Sequence, residues 1–165
     1  MRQEADFFDV FKETLDKLDG DGILLVAGDP PNPMTIGWGT LGYIWHRQIM
    51  TVLVRPTRYT FSLMEAARDF SVCVLPDSFT KELAICGTRS GRDTDKVEMC
   101  NFHMEKGLRG DSSFIAESSL HFECRIVHRH PLDPATLNPA ILTRNYPLRD
   151  FHMVYYGEIR GIFRG

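Results

Sequence analysis

The sequence has no surplus of positive charge. Its 19 Lys and Arg stand against 22 Asp and Glu, for a formal net charge of −3. A general grip on nucleic acid needs a concentrated positive field, so no nucleic-acid partner is expected. Cysteine is sparse. Cys73, Cys86, Cys100 and Cys124 form no C-x-x-C pair and no zinc spacing, which predicts reduced thiols rather than a disulfide framework. Long hydrophobic runs are missing too. The uncharged stretch from Pro30 to Trp45 is broken by prolines, Asn32 and glycines, so no membrane span is expected. The opening residues MRQEADFF are acidic and lack the apolar segment of an export signal. A cytoplasmic protein is the expectation. There is no internal repeat and no low-complexity tract.

What is present is an ordinary globular composition. The chain has 165 residues, 43% hydrophobic and 25% charged, which predicts one domain over 1–165 with a core that needs no staples. Phe7, Phe11, Leu15 and Leu18 recur at helical spacing, so residues 1–20 carry an amphipathic helix ended by Gly20. GILLVAG reads as a buried strand, and DPPNP as a turn, since its prolines cannot continue a sheet. MTIGWGT is extended, and IMTVLV is a central strand. Ser62-x-x-Glu65 has the form of a capping box ahead of a short helix. FSVCVL is a strand, and SFTKELAICG a second short helix closed by Gly87.

Residues 88–118 read as polar and irregular, with one helical turn between Asp93 and Met99. LHFECRIV alternates, with Leu120, Phe122, Cys124 and Ile126 on one face and His121, Glu123 and Arg125 on the other, as in a half-buried strand. The proline-rich segment 131–147 reads as a long loop. FHMVYYGEIRGIF is a closing strand with a bulge at Gly157. About six strands come in runs around three short helices, which favours a mostly antiparallel barrel or sandwich.

Gly37-x-Gly39-x-x-Gly42 has the spacing of a dinucleotide fingerprint. That motif needs a helix starting at its last glycine. Here YIWHRQIMTVLV follows, which suits a strand, so the glycines instead mark a kink or a place where a flat ligand approaches the backbone. Two further stretches carry chemistry. Arg55-Pro56-Thr57-Arg58-Tyr59-Thr60 combines two guanidiniums with three hydroxyls and reads either as a phosphate site or as a solvated turn. Thr88 to Lys96 (TRSGRDTDK) reads either as an anion-binding nest or as a self-paired surface loop. His128-Arg129-His130 lacks the further ligands a metal needs, so no metal site is expected. His152 reads as a structural histidine, with an approach to a ligand across a dimer interface as the alternative.

In order, Asn32-x-Met34-Thr35-x-x-Trp38-Gly39-Thr40, Val54-Arg55-Pro56-x-Arg58-Tyr59-Thr60 and Cys86-Gly87-Thr88-x-Ser90-Gly91-Arg92-Asp93-x-Asp95-Lys96 resemble the flavin reductase-like family with the FMN-binding split barrel, flavoredoxin-type. Glu123-Cys124-Arg125 and Tyr156-Gly157-Glu158 match as well. The resemblance implies a mostly β fold, a six-stranded antiparallel split barrel with short flanking helices, forming a homodimer. It implies bound FMN, with Asn32 and the backbone of Met34, Thr35, Ile36, Trp38, Gly39 and Thr40 along the ring and ribityl chain. Arg55, Arg58, Tyr59 and Thr60 would hold the phosphate, and Ser90, Arg92 and Lys96 would reach in from the polar loop. It further implies an oxidoreductase taking electrons from NAD(P)H or a redox protein; an electron carrier without nicotinamide turnover, or a scaffold without flavin, are the alternatives. Hydride transfer requires no general acid or base, so no catalytic residue is assigned.

Overall fold

The computed structural model describes residues 1–165. In chain order it contains β1 (Gln3–Glu4), α1 (Phe7–Asp19), β2 (Ile23–Ala27), β3 (Asn32–Ile36), β4 (Gly39–Ile44), β5 (Arg47–Val54), α2 (Tyr59–Ala66) and β6 (Asp69–Val74). A 3-10 turn, Asp77–Phe79, leads into α3 (Thr80–Thr88) and α4 (Lys96–Met99). Then come β7 (Met104–Lys106), β8 (Ser113–Ile115), β9 (Leu120–Pro131), α5 (Pro139–Asn145) and β10 (Met153–Arg164).

Seven strands pair antiparallel in the order β3-β2-β6-β9-β10-β5-β4, β1 adds to the end of β10, and β7 and β8 form a separate hairpin. The two edge strands, β3 and β4, are consecutive in the chain and separated only by Gly37 and Trp38. Three Cα–Cα steps span at most about 11 Å. The opposite edges of the sheet therefore meet at this point without hydrogen-bonding, and the sheet is a barrel split between β3 and β4.

The class expected from sequence holds, with more strands than the six expected. MTIGWGT divides into parts of two strands because the chain crosses the split within it. The next segment is a hairpin: Trp45 and His46 both take positive φ, 55° and 57°, between β4 and β5. Neither residue advertises such a turn, which ordinarily uses Asn or Gly. Pro33 lies inside β3, paired with Val26; an edge strand tolerates it because one side needs no ladder donor.

Two cores flank the sheet. Ile23, Leu25 and Ala27 of β2 point into the barrel with Met50, Val52, Phe70, Phe122 and Tyr155. Leu24 and Val26 point outward beneath α3, α4 and β8, against Leu83, Cys86, Cys100, Phe102 and Phe114. That double burial is why β2 reads as a continuous apolar run. It also corrects the half-buried reading of β9. His121 and Glu123 are buried, because the segment 107–115 folds over them. His121 stacks on Phe114 with ring centroids 3.8 Å apart, and Glu123 accepts the backbone N–H groups of Leu108 and Arg109 at 2.7 and 2.6 Å. The bulge at Gly157 is present as a register shift against β9. A side chain there would meet the Phe70 ring at 2.5 Å.

Two local readings change. The Ser62-x-x-Glu65 box does not cap anything: α2 starts at Tyr59, and Ser62 donates to the Tyr59 carbonyl at 2.8 Å. Glu65 instead accepts from the Tyr155 hydroxyl at 2.7 Å. The segment 131–147 is not all loop. Asn138 caps α5, with Pro139 in its first turn, the position where a missing N–H costs nothing.

Candidate functional site

Two adjoining cavities open at the split, and Arg58 lines both. The first, about 260 Å³, is walled by Met34, Thr35, Ile36, Gly37 and Trp38 of the β3–β4 crossing, by Leu53 and Arg55 at the end of β5, and by Gly87 and His152. In its wall Gly37 is exposed, with no side chain to cover its backbone. The second, about 150 Å³, is lined by Thr57, Arg58, Tyr59, Thr60, Thr88, Arg89, Ser90, Gly91, Arg92 and Lys96. Four cations and five hydroxyls surround it, with no carboxylate.

The polar cavity is assembled from two segments distant in sequence. The early start of α2 brings its first turn to the cavity wall, and no side chain caps that end. Free N–H groups and the helix dipole favour an anion there. The other wall is the loop after α3. It packs so closely that a Cβ on Gly91 would lie 2.2 Å from Asn32 Oδ1. Arg58 donates to the Gly87 carbonyl at 2.8 Å, and Arg92 donates to the Thr57 carbonyl at 3.2 Å and lies over the Tyr59 ring. The Arg89 guanidinium has no hydrogen bond or ion pair, while its backbone N–H closes α3 on the Ile85 carbonyl. Asn32 donates to Thr60 Oγ1 at 2.9 Å, tying β3 to α2.

Lys96 is the anomaly of the site. Its residue is 3% exposed, it has no ion pair, and its ammonium reaches only the Cys86 carbonyl, at 3.5 Å. Burial, helped by repulsion from Arg58, pushes its pKa down to about 8. A buried charge without a counter-ion costs several kcal/mol, and such a cost is sustained where a ligand supplies the missing charge.

At the far end of the cleft, the His152 ring packs 5.2 Å from Trp38. Its Nδ1 is 2.7 Å from the Tyr146 hydroxyl. Burial, with Arg55 adding to it, holds His152 down at about 4, so the ring is neutral near pH 7. Arg55 donates to the carbonyls of Asn145 and Asp150 at 2.9 and 3.1 Å and pairs with the Asp150 carboxylate at 2.6 Å. Arg55 therefore anchors the segment after α5 and stays out of the polar cavity.

Of the residues singled out from sequence, Met34, Thr35, Ile36, Trp38, Arg55 and Arg58 line the cleft. Arg58, Tyr59, Thr60, Ser90, Arg92 and Lys96 line the polar cavity, and Asn32 supports it through Thr60. Gly39 and Thr40 line neither cavity. Gly39 is instead the close approach of β4 to β5, where a Cβ would meet the Thr51 carbonyl at 2.8 Å. Arg89 comes with the TRSGRDTDK stretch, and His152, read first as a structural histidine, lines the cleft; Tyr146 enters the site unsignalled, since nothing local to it carries a motif. No group of three or more His, Cys, Asp or Glu side chains is placed to hold a metal, and no helix is long and apolar enough to cross a membrane.

The donor set fits a flat heterocycle bearing one phosphate: backbone and an aromatic wall in the cleft, cations and an uncapped helix end beside it. Both the sequence and the fold have relatives among known proteins. A protein of Archaeoglobus fulgidus without an assigned function is 30% identical over 105 residues, 63% of this chain; the chain spans 59% of that relative's length. A flavoredoxin from Methanosarcina acetivorans superposes with a TM-score of 0.68 at 24% identity, covering 87% of this chain and 67% of that one. An FMN-binding domain of a flavin reductase-like enzyme from Shewanella baltica gives a TM-score of 0.68 at 15% identity, covering 99% and 77%. The flavin reductase like domain matches residues 21–162, from the first barrel strand to the last, and the chain belongs to that family.

Proposed function

We propose that the protein is an FMN-binding oxidoreductase, with the isoalloxazine in the Trp38 cleft and the phosphate in the Lys96 cavity. The observation that carries this reading is the isolated Lys96 ammonium among Arg58, Arg89, Arg92 and the bare first turn of α2. Bound flavin would accept and donate hydride or single electrons; the polypeptide supplies position and electrostatics. Arg58, Thr60, Ser90 and Arg92 orient the phosphate, and Lys96 neutralises it or the adjacent ring edge. The backbone of β3 and the following Gly37 lets the ring lie close. The donor is a reduced nicotinamide cofactor or a redox protein, and the working unit is a homodimer. The exposed rings of Phe8 and Tyr43, stacked with centroids 6.2 Å apart, offer a surface for a second copy.

Flavin-free protein titrated with FMN and with riboflavin tests the assignment. FMN should bind at least about a hundredfold more tightly, since one phosphate gains several charge-assisted hydrogen bonds. Equal affinities would remove the phosphate from the Lys96 cavity, and no binding of either would sink the reading. Anaerobic mixing of the loaded protein with NADH or NADPH then separates an enzyme from a carrier. Bleaching of the flavin marks the enzyme, and an unchanged spectrum marks the carrier.

A further inference from the structure

Two of the four cysteines meet at the base of the polar cavity. Cys86 Sγ and Cys100 Sγ lie 4.0 Å apart in the outer core. Cys86 sits in the last turn of α3, and Cys100 closes α4. The chain between them carries the whole second wall of the cavity, from Thr88 to Lys96. The other two thiols are elsewhere. Cys73 meets the Ile115 N–H and the Ser71 hydroxyl, and Cys124 faces the barrel interior.

Lys96 links the pair to the cavity. It is the first residue of α4, one turn before Cys100, whose N–H donates to the Lys96 carbonyl at 3.1 Å. Residues four apart share a helix face, so ammonium and thiol both turn toward the end of α3. There the ammonium reaches the Cys86 carbonyl at 3.5 Å. Burial pushes the Cys86 thiol up to about 12 and raises Cys100 as well, and the Lys96 charge works against that rise at both. One cation thus serves two anions, a thiolate within the core or a phosphate in the cavity. The thiolate is the reactive form. A bound phosphate takes up the charge of Lys96 and leaves the thiols protonated and slow.

The pair is also coupled to the cavity mechanically. A disulfide holds its sulfurs about 2.05 Å apart, so forming one here closes the gap by about 2 Å. Side-chain rotation and a shift of the single-turn α4 share that movement. Lys96 opens the same turn that Cys100 closes, so the shift draws Lys96 from its place at the cavity.

We propose that Cys86 and Cys100 form a dithiol site for a hydroperoxide oxidant, whose disulfide disturbs the phosphate wall and lowers FMN affinity. This rests on the reading that the FMN phosphate lies beside Lys96. Cys100 is 7% exposed and Cys86 is sealed, so Cys100 reacts first. Its thiolate attacks one oxygen of hydrogen peroxide; an S–O bond forms, the O–O bond breaks and hydroxide leaves. The Cys86 thiolate then attacks that sulfur; the S–S bond forms, the S–O bond breaks and a second hydroxide leaves. The two thiol protons turn both hydroxides into water. The thiols lose two electrons, and one peroxide becomes two waters.

The test treats the full chain, flavin-free and FMN-loaded, with hydrogen peroxide. Free thiols are then counted with N-ethylmaleimide under denaturing conditions, and the products are mapped by mass spectrometry. The flavin-free protein should lose about 2 Da and two of its four thiols, with Cys86 joined to Cys100 within one chain. Saturating FMN should slow the bond's formation at least about tenfold, and the oxidised protein should bind FMN about tenfold more weakly, since the coupling is reciprocal. Dithiothreitol should restore the affinity. Lys96→Met should slow oxidation of the flavin-free protein. Cys100→Ala should keep native FMN affinity and lose its response to peroxide. If it does not fold, as judged by circular dichroism, the dithiothreitol reversal in the native chain carries the test. Four thiols after treatment, a bond between other cysteines, sulfinic acid in place of the bond, an unchanged rate in Lys96→Met, or equal FMN affinity before and after oxidation would overturn the proposal. The oxidation arm is read without flavin. Reduced protein that binds no FMN overturns the reading underneath, whereas FMN binding with no Cys86–Cys100 bond overturns the proposal alone.

Discussion

Two regions of this molecule bury charge, and they do it in opposite ways. On one side of the barrel, Asp69 receives a forked pair of hydrogen bonds from Arg125 at 2.8 and 3.1 Å and the Asp111 N–H at 3.0 Å. Close by, Glu123 receives two backbone N–H groups and His121 Nε2. Burial opposes both carboxylates, yet their donors outweigh it and hold each below the usual range. At the split, Lys96 is as deeply buried and has one carbonyl at 3.5 Å. A completed buried charge stitches the chain together. An incomplete one leaves a charge that the proposed phosphate would neutralise.

Breaking the completed side has the largest expected effect. Glu123→Ala orphans two backbone N–H groups and an imidazole, which costs about 3 kcal/mol. That corresponds to a thermal midpoint lower by about 10 °C for a chain of this size. A calorimetric scan of the flavin-free variant checks it. A midpoint within experimental error of the native protein would end the contrast.

Breaking the incomplete side should leave stability alone and remove affinity. Lys96→Met relieves a buried charge, so the flavin-free protein should melt no lower than the native one. Its FMN dissociation constant should rise about a hundredfold, the loss of one strong charge-assisted contact. A variant that melts lower and binds normally would make Lys96 structural.

Acid sharpens the carboxylate half. Asp69 and Glu123 have depressed values in the folded state. Their stabilisation is therefore complete above the unfolded values near about 4 and is lost as pH falls through the folded ones. The thermal midpoint should drop steeply below about pH 4, and less steeply in Glu123→Gln. Parallel curves would show that these carboxylates are not the acid-sensitive contacts.

Base sharpens the lysine half, with the smallest effect. In flavin-free protein Lys96 loses its proton near pH 8, while a bound anion raises that value. Binding then takes up a proton above pH 8, and affinity should fall by up to about tenfold per pH unit. Lys96→Met should lack this slope. Isothermal titration in two buffers of different ionisation enthalpy reads the proton directly.

How far the sequence could be read follows the range of each signal. The N-terminal helix ended at Gly20, and the Gly157 bulge was visible as a glycine inside a β-rich run. Both are local. The Ser62–Glu65 box failed because Arg55 to Arg58 already turn the chain, closed by the Arg58 N–H on the Arg55 carbonyl, letting α2 start at Tyr59. The hairpin at Trp45–His46 was hidden because its residues are poor turn formers. The proline content of 131–147 masked α5, although Pro139 suits its first turn.

The site divides along the same line. RPTRYT and SGRDTDK announced cations and hydroxyls, and their order carried the family resemblance. Which cations were free was not legible there. Arg55 and Lys96 were both expected at the cofactor, yet one is spent on Asn145 and Asp150, and the other is left without a counter-ion.

By itself the sequence determined the alternation of strands, the absence of a nucleic-acid or metal signature, and the residue types that gather at the split. Charge balance, periodicity and spacing are properties of neighbours along the chain. Only the tertiary structure decided that GWGTLG crosses between two sheet edges, that Lys96 stands without a counter-ion, and that His152 is buried against Trp38 and Tyr146. Each of those depends on which distant segments exclude water together, and burial is what turns an ordinary lysine or histidine into a poised one.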